Sequence, residues 1–196
     1  MERFDPSIGP TDRYSRRSVL VGWGVTGTTL LAGCLGEDDV PEPQTLTEDD
    51  SCQACGMVVT HHPGPSGQSF YDEHPDLPDD RAAFCSGLCA YGWTFGQEDA
   101  GYEPIVTYFT DYSAVDWELS EEDDVTFISD HHEAETQRDV AELTFVAGSE
   151  VRGSMGEDLI GFSESGDAES FQGDHGGEIV SHGDVSRELI DSLGGM

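Results

Sequence analysis

The chain contains no lysine. Its eight basic residues are all arginine and stand against 41 acidic ones, leaving a formal charge of −33 over 196 residues. That imbalance excludes a nucleic-acid partner, because phosphate recognition needs clustered lysine and arginine. Also missing is any apolar run near the ~20 residues a membrane-spanning helix requires. No G-x-S-x-G elbow, H-E-x-x-H helix or glycine-rich phosphate loop occurs, so several common enzyme signatures are absent. Carboxylates are too numerous for one pair to stand out as acid and base. What is present argues for a folded protein: nine Phe, six Tyr and three Trp are too many for a disordered acidic chain. The acidity is spread along the sequence. It reads as a solvated surface of the kind found in halophile proteins, where salt screens the self-repulsion.

Ser15-Arg16-Arg17-Ser18-Val19-Leu20 has the pattern of a twin-arginine export signal. A short stretch of apolar and small residues follows and ends in Leu31-Ala32-Gly33-Cys34. This end resembles the lipobox of lipoproteins, in which cleavage precedes a cysteine whose thiol carries the lipid. Residues 1–33 are therefore expected to be a signal peptide, with Cys34 the lipid attachment point on the extracytoplasmic face of the membrane. The competing reading is a signal anchor with an incidental cysteine. Residues 34–50, rich in Glu, Asp and Pro, read as an extended, self-repelling tether.

The folded part begins near Ser51. Strands are expected over 56–60, 81–85, 105–109, 125–128, 143–146, 159–163 and 178–181, with a polar loop over 68–80. Ser86 is a candidate N-cap for a helix carrying Leu88, Cys89, Trp93 and Phe95, and two more helices are expected over 166–174 and 186–193. Strand, helix, glycine break and strand recur in that order. The pattern predicts an α+β fold of two similar ββαβ units, 51–118 and 119–196, in one compact region. Trp93 and Trp117 read as core residues, and Asp111 as the residue serving the turn after its strand.

Apart from Cys34, the cysteines form two pairs, Cys52-x2-Cys55 and Cys85-x3-Cys89. A tight turn with Gly56 after it lets the first two sulfurs face one point. The second pair, at i and i+4 where a helix begins, shares one face, and the helix N-terminus is expected to favour a Cys85 thiolate. Met57 adds a thioether. Soft sulfur ligands select Cu(I), Zn(II) or cadmium-like and mercury-like ions over Mg and Ca. Three other readings stay open on the residues alone. Two disulfides are possible, in three pairings; so is a structural zinc site of four thiolates; and so is a thioredoxin-like redox pair, although no βαβ frame surrounds Cys52. His61 and His62, beside the first motif, and His175, near the end of a helix, are further metal-ligand candidates set against ordinary surface roles. His131 and His132 read as solvent-facing. Met155, in a glycine-flanked turn, is a candidate ligand or interface residue.

Cys52-Gln53-Ala54-Cys55-Gly56-Met57-Val58-Val59, with Pro63-Gly64-Pro65 after it, resembles the N-terminal signature of the NosL family of copper-binding lipoproteins. Asp111-Tyr112-Ser113 with Trp117 continues the likeness. So do Ser154-Met155-Gly156 with Leu159 to Phe162, and Asp167-Ala168-Glu169 with Phe171 and His175-Gly176-Gly177. These landmarks cover residues 51–180 in the family's order. Cys55-Gly56-Met57 and Phe84-Cys85-Ser86-x2-Cys89 also resemble the small TRASH and YHS metal-binding modules. The resemblance implies a membrane-tethered, non-enzymatic Cu(I) chaperone that assists copper-centre assembly of nitrous oxide reductase, with a fold of two ββαβ units. It implies Cys55, Met57 and Met155 as ligands. Cys85 and Cys89 depart from the family's better known members and keep zinc as the alternative ion. A zinc-stabilised binding module and a thiol redox or organometal-handling protein are the alternative functions.

Overall fold

The computed structural model describes residues 40–194. The expected signal peptide and lipid-bearing Cys34 lie outside them. Residues 41–50 do not behave as a free tether. Leu46 is buried in the main core and its N–H donates to the His132 carbonyl at 2.9 Å. The Tyr108 hydroxyl donates to the Pro41 carbonyl at 2.8 Å. A single well-placed leucine and a few backbone bonds outweigh the acidic composition here.

Twelve strands and helices follow: β1 (Gly67–Phe70), β2 (Arg81–Phe84), α1 (Gly87–Ala100), β3 (Val106–Thr110), β4 (Leu119–Glu122), β5 (Val125–Ile128), β6 (Gln137–Asp139), β7 (Thr144–Gly153), β8 (Gly156–Phe162), α2 (Ser165–His175), β9 (Glu178–Ser181) and α3 (Arg187–Leu193). The fold is α+β. The first sheet runs β2-β1-β3-β6 with antiparallel pairing throughout. In the second, β4-β5-β7-β8, β9 also pairs with β7, and β5 lies parallel to β7. Strand, strand, helix, strand occurs as β1-β2-α1-β3 and again as β7-β8-α2-β9.

β1 falls where the sequence reads as a polar loop. Gly67-Gln68-Ser69-Phe70 has no apolar alternation, yet all four residues are buried between β2 and β3. The Gln68 amide supplies the missing satisfaction, donating to the Gln44 carbonyl and to Gln137 Oε1, each at 2.6 Å; a buried polar group is tolerated once its hydrogen bonds are made. The exposed β4, Leu-Ser-Glu-Glu, and the short β6 carry no hydrophobic pattern and are likewise invisible in the sequence.

Adjacent residues of β7 feed two separate cores, as the period of two demands. Phe145 and Ala147 join Phe84, Phe109 and Tyr91 in the larger cluster, with the Phe109 and Phe145 rings 6.2 Å apart across the two sheets. Val146 and Val151 join Tyr112, Ile160, Phe162 and Phe171 in the smaller one, under α2. A strand buried on both faces reads as a continuous apolar run, which is why 143–147 and 159–162 stand out in the sequence. Trp93 packs against the larger cluster and Trp117 against the smaller.

The charge sits almost wholly on the outside of these cores. Self-repulsion of that size opposes compaction, and the screening length shrinks from about 10 Å at 0.1 M salt to about 3 Å at 1 M. Raising KCl from 0.1 to 2 M is therefore expected to raise the melting temperature by about 10 °C, a change of a few kcal/mol for a domain this size. Thermal unfolding followed by circular dichroism checks this; a flat response would mean the repulsion is unimportant.

Candidate metal centre

Cys52 and Cys55 sit on a turn that closes on itself and then pairs with the first sheet. The Cys52 N–H donates to the Met57 carbonyl at 2.7 Å, and the Gly56 N–H to the Cys52 carbonyl at 2.8 Å. Gly56 has φ +78°, which glycine adopts without strain. The turn consumes residues expected to form a strand over 56–60: only Val58 makes a bridge, to Ser51, and Val59–His61 is a 3-10 turn. Cys52 itself bridges Ala83 of β2, and the Gln53 N–H donates to the Ala83 carbonyl at 2.9 Å. Cys85 follows β2 directly. Ser86 then caps α1 by accepting the Cys89 N–H at 3.0 Å, which fixes Cys89 one turn above Cys85.

The four sulfurs converge within 4.8 Å of one another. Cys55 and Cys85 Sγ are 3.6 Å apart, and Cys85 and Cys89 Sγ 3.9 Å. All four cysteines are free thiols, so no disulfide joins them. Four sulfurs placed tetrahedrally around one ion at about 2.3 Å would be about 3.8 Å apart, whereas a disulfide holds its sulfurs at about 2.05 Å. The donor set and its spacing fit a single soft ion.

The shifts run against the thiolate expected at Cys85 from the helix end. Hydrogen bonds from the Cys85 and Cys89 thiols hold Cys52 far below the ordinary thiol range, in spite of its burial. The same contact with Cys52, with burial added, pushes Cys85 far up and Cys89 up to about 12.

Two residues from the second half of the chain brace this site: Ser154, which the sequence marks only as part of the Ser154-Met155-Gly156 landmark, and Asp158, which no motif covers. The Ser154 hydroxyl, in the β7–β8 turn, donates to the Cys85 carbonyl at 2.6 Å. Asp158 of β8, fully buried, accepts the N–H groups of Gly87 and Leu159, each at 2.8 Å, and so holds the N-terminus of α1. Its one signal in the sequence is a carboxylate directly before the apolar run Leu159-Ile160. Burial pushes Asp158 up to about 7.

Met57 lies half-buried on the cysteine turn. Met155 follows Ser154 and is 44% exposed. His61 is exposed, 4.0 Å from Glu48, and His62 half-buried. His175 ends α2 with its ring 4.7 Å from that of Phe171, beside the smaller core. Among the described residues the metal-sized group contains the four cysteines and no histidine. His132 is not free in solvent: its Nδ1 lies 3.2 Å from Ser66 Oγ and its Nε2 2.9 Å from Asp130.

The NosL family model matches residues 43–190, most of the chain and all of this site. The chain belongs to the NosL family. Among its relatives is the copper-binding lipoprotein NosL of Stutzerimonas stutzeri, 28% identical over 182 residues, 91% of this chain and 83% of that protein. The crystal structure of the copper chaperone NosL from Shewanella denitrificans superposes with a TM-score of 0.61 at 23% identity, over 75% of this chain and 97% of that one. That likeness shows the NosL fold. Neither relative is named as an enzyme.

Two pH dependences follow. Metal binding must displace the protons of Cys85 and Cys89, so apparent Zn(II) or Cu(I) affinity is expected to rise between pH 6 and 8 by roughly tenfold per pH unit for each proton released; competition titrations check this. Asp158 acts on the fold itself. Its folded pKa of about 7 lies above the ordinary 3.8, so the folded state binds more protons between those values and stability falls as pH rises through that window. Urea midpoints at pH 5 and 8 should show a loss of up to a few kcal/mol, flattened in Asp158→Asn. A slope that survives in the variant assigns it to other groups.

Proposed function

We propose that this NosL-family chain is a lipid-anchored, extracytoplasmic carrier of Cu(I), exported by the twin-arginine route and serving the copper centres of nitrous oxide reductase or their assembly machinery. The convergence of four free cysteine sulfurs within 4.8 Å carries the metal-binding part of this reading. Thiolate sulfur is the donor that Cu(I) prefers, and both relatives named above are called copper proteins. Met57 and Met155 supply thioethers on the turn and on the neighbouring β-turn. The lipobox-like segment ending at Cys34, and the word lipoprotein in the name of the Stutzerimonas relative, support the anchor. Among the described residues no helix is long and apolar enough to cross a membrane. Nitrous oxide reductase enters through the family resemblance alone. The carrier role is transfer by ligand exchange, without chemical change to the cargo.

A zinc-stabilised binding module is the second reading, favoured by one observation. Four cysteine sulfurs at 3.6 and 3.9 Å also match a closed structural Zn(II) site. Anaerobic titration of the reduced protein separates the two. The carrier reading expects one tightly bound Cu(I) per chain that a strong chelator removes with the fold intact, and Cys85→Ser is expected to weaken binding by at least about a hundredfold. A protein that holds one zinc, ignores Cu(I) and unfolds on chelation would replace this reading with the second.

A further inference from the structure

The four cysteines are not equivalent. Cys52 and Cys85 are each 2% exposed and Cys89 8%, while Cys55 is open to solvent. We propose that Cys55 is the exchanging ligand: its bond to the ion opens first, while Cys52, Cys85 and Cys89 keep hold. This rests on the metal-carrier reading above and names the bond at which transfer begins.

The anchoring of the four sulfurs differs as their burial does. Cys52 is bridged to β2, Cys85 follows that strand with its carbonyl held by Ser154, and Cys89 is fixed by the Ser86 cap. Cys55 rides the tip of the turn, among the exposed Gln53, Ala54 and Gly56. A side chain added at Gly56 would meet nothing within 4 Å, so the tip stands in open space. A ligand there can swing away without disturbing sheet, helix or cap.

The segments that carry the four cysteines are also free of charged residues. Residues 51–71 and 82–97 contain no Asp, Glu, Lys or Arg, in a chain that is 25% charged. The facing turn, Gly153-Ser154-Met155-Gly156, is uncharged as well, and the two charged residues that flank it, Arg152 and Glu157, pair with each other at 3.8 Å. Carboxylates at this spot would repel an incoming thiolate and offer Cu(I) hard oxygen ligands it disfavours. The acceptor that fits is a thiol on an uncharged contact face. As its sulfur bonds to the ion the acceptor thiol gives up its proton, and the departing Cys55 thiolate takes a proton up. Cu(I) keeps its oxidation state and no electrons move.

The test uses the full chain, loaded anaerobically with one equivalent of Cu(I) and pulsed with iodoacetamide. Peptide mapping gives the modified sites and native mass spectrometry the retained copper. Cys55 should be alkylated at least about tenfold faster than the other three, with Cu(I) still bound. If copper protects all four site cysteines equally, or if the first of them to be alkylated is Cys52, Cys85 or Cys89, or if alkylation of Cys55 expels the ion, the proposal is overturned while the carrier reading stands. If copper protects none of Cys52, Cys85 and Cys89, the carrier reading itself fails. Variants give an independent check. Cys55→Ser should keep one equivalent of Cu(I) but lose it to bicinchoninate on the order of tenfold faster than the unmodified chain. Loss of copper as complete as in Cys85→Ser, or an unchanged stripping rate, would count against Cys55.

Discussion

The site depends on one short pairing, between the cysteine turn and Ala83 of β2. Cys55 and Cys85 are 30 residues apart in the chain, and nothing local brings them together. The Cys52–Ala83 bridge and the hydrogen bond from Gln53 do so, setting the first cysteine pair beside the strand whose next residues are Phe84 and Cys85. A backbone hydrogen bond contributes only about 1 kcal/mol. The pairing persists because Cys52, Ala83 and Phe84 enter the same buried cluster, so separating the turn from the sheet would expose apolar surface as well.

The second half of the molecule secures the arrangement from the other side. Ser154 bonds the Cys85 carbonyl, and Asp158 holds the N–H groups at the start of α1. Both come from β8 and its turn. The contact is close: a Cβ at Gly64 would lie 2.5 Å from the Gly153 Cα, so the loop after the cysteine turn and the end of β7 meet backbone to backbone. Glycine at both positions is a packing requirement of the site. Burying Asp158 is costly, and the return is a capped helix at the point where Cys85 and Cys89 must stay in register.

Much of this was legible in the sequence, for identifiable reasons. Ser86 as a cap and the apolar stretches of β5, β7 and β9 follow from local chemistry and periodicity, which the fold obeys. The four cysteines announced themselves by spacing, although spacing could not choose between metal and disulfide; their distances in space do. What escaped depends on tertiary context. β1 is polar and is rescued by Gln68 bonding to distant residues, and Leu46 pins a segment whose composition reads as free. The thiolate was assigned to Cys85 from the helix end alone. In the fold, contact with the neighbouring sulfurs together with burial pushes the Cys85 thiol up, and these outweigh a dipole effect worth about 1 kcal/mol or less.

A site built to keep an ion and a site built to pass one on need different surroundings, even with the same four donors. A structural zinc site gains by burying its ligands equally and closing the sphere. Here three sulfurs are held by strand, cap and core while the fourth stands on an open turn. The acidic residues that cover the rest of the molecule are absent from the segments that form the mouth. A thiol donor would meet no competing carboxylate from those segments, which suits a carrier better than a closed structural centre.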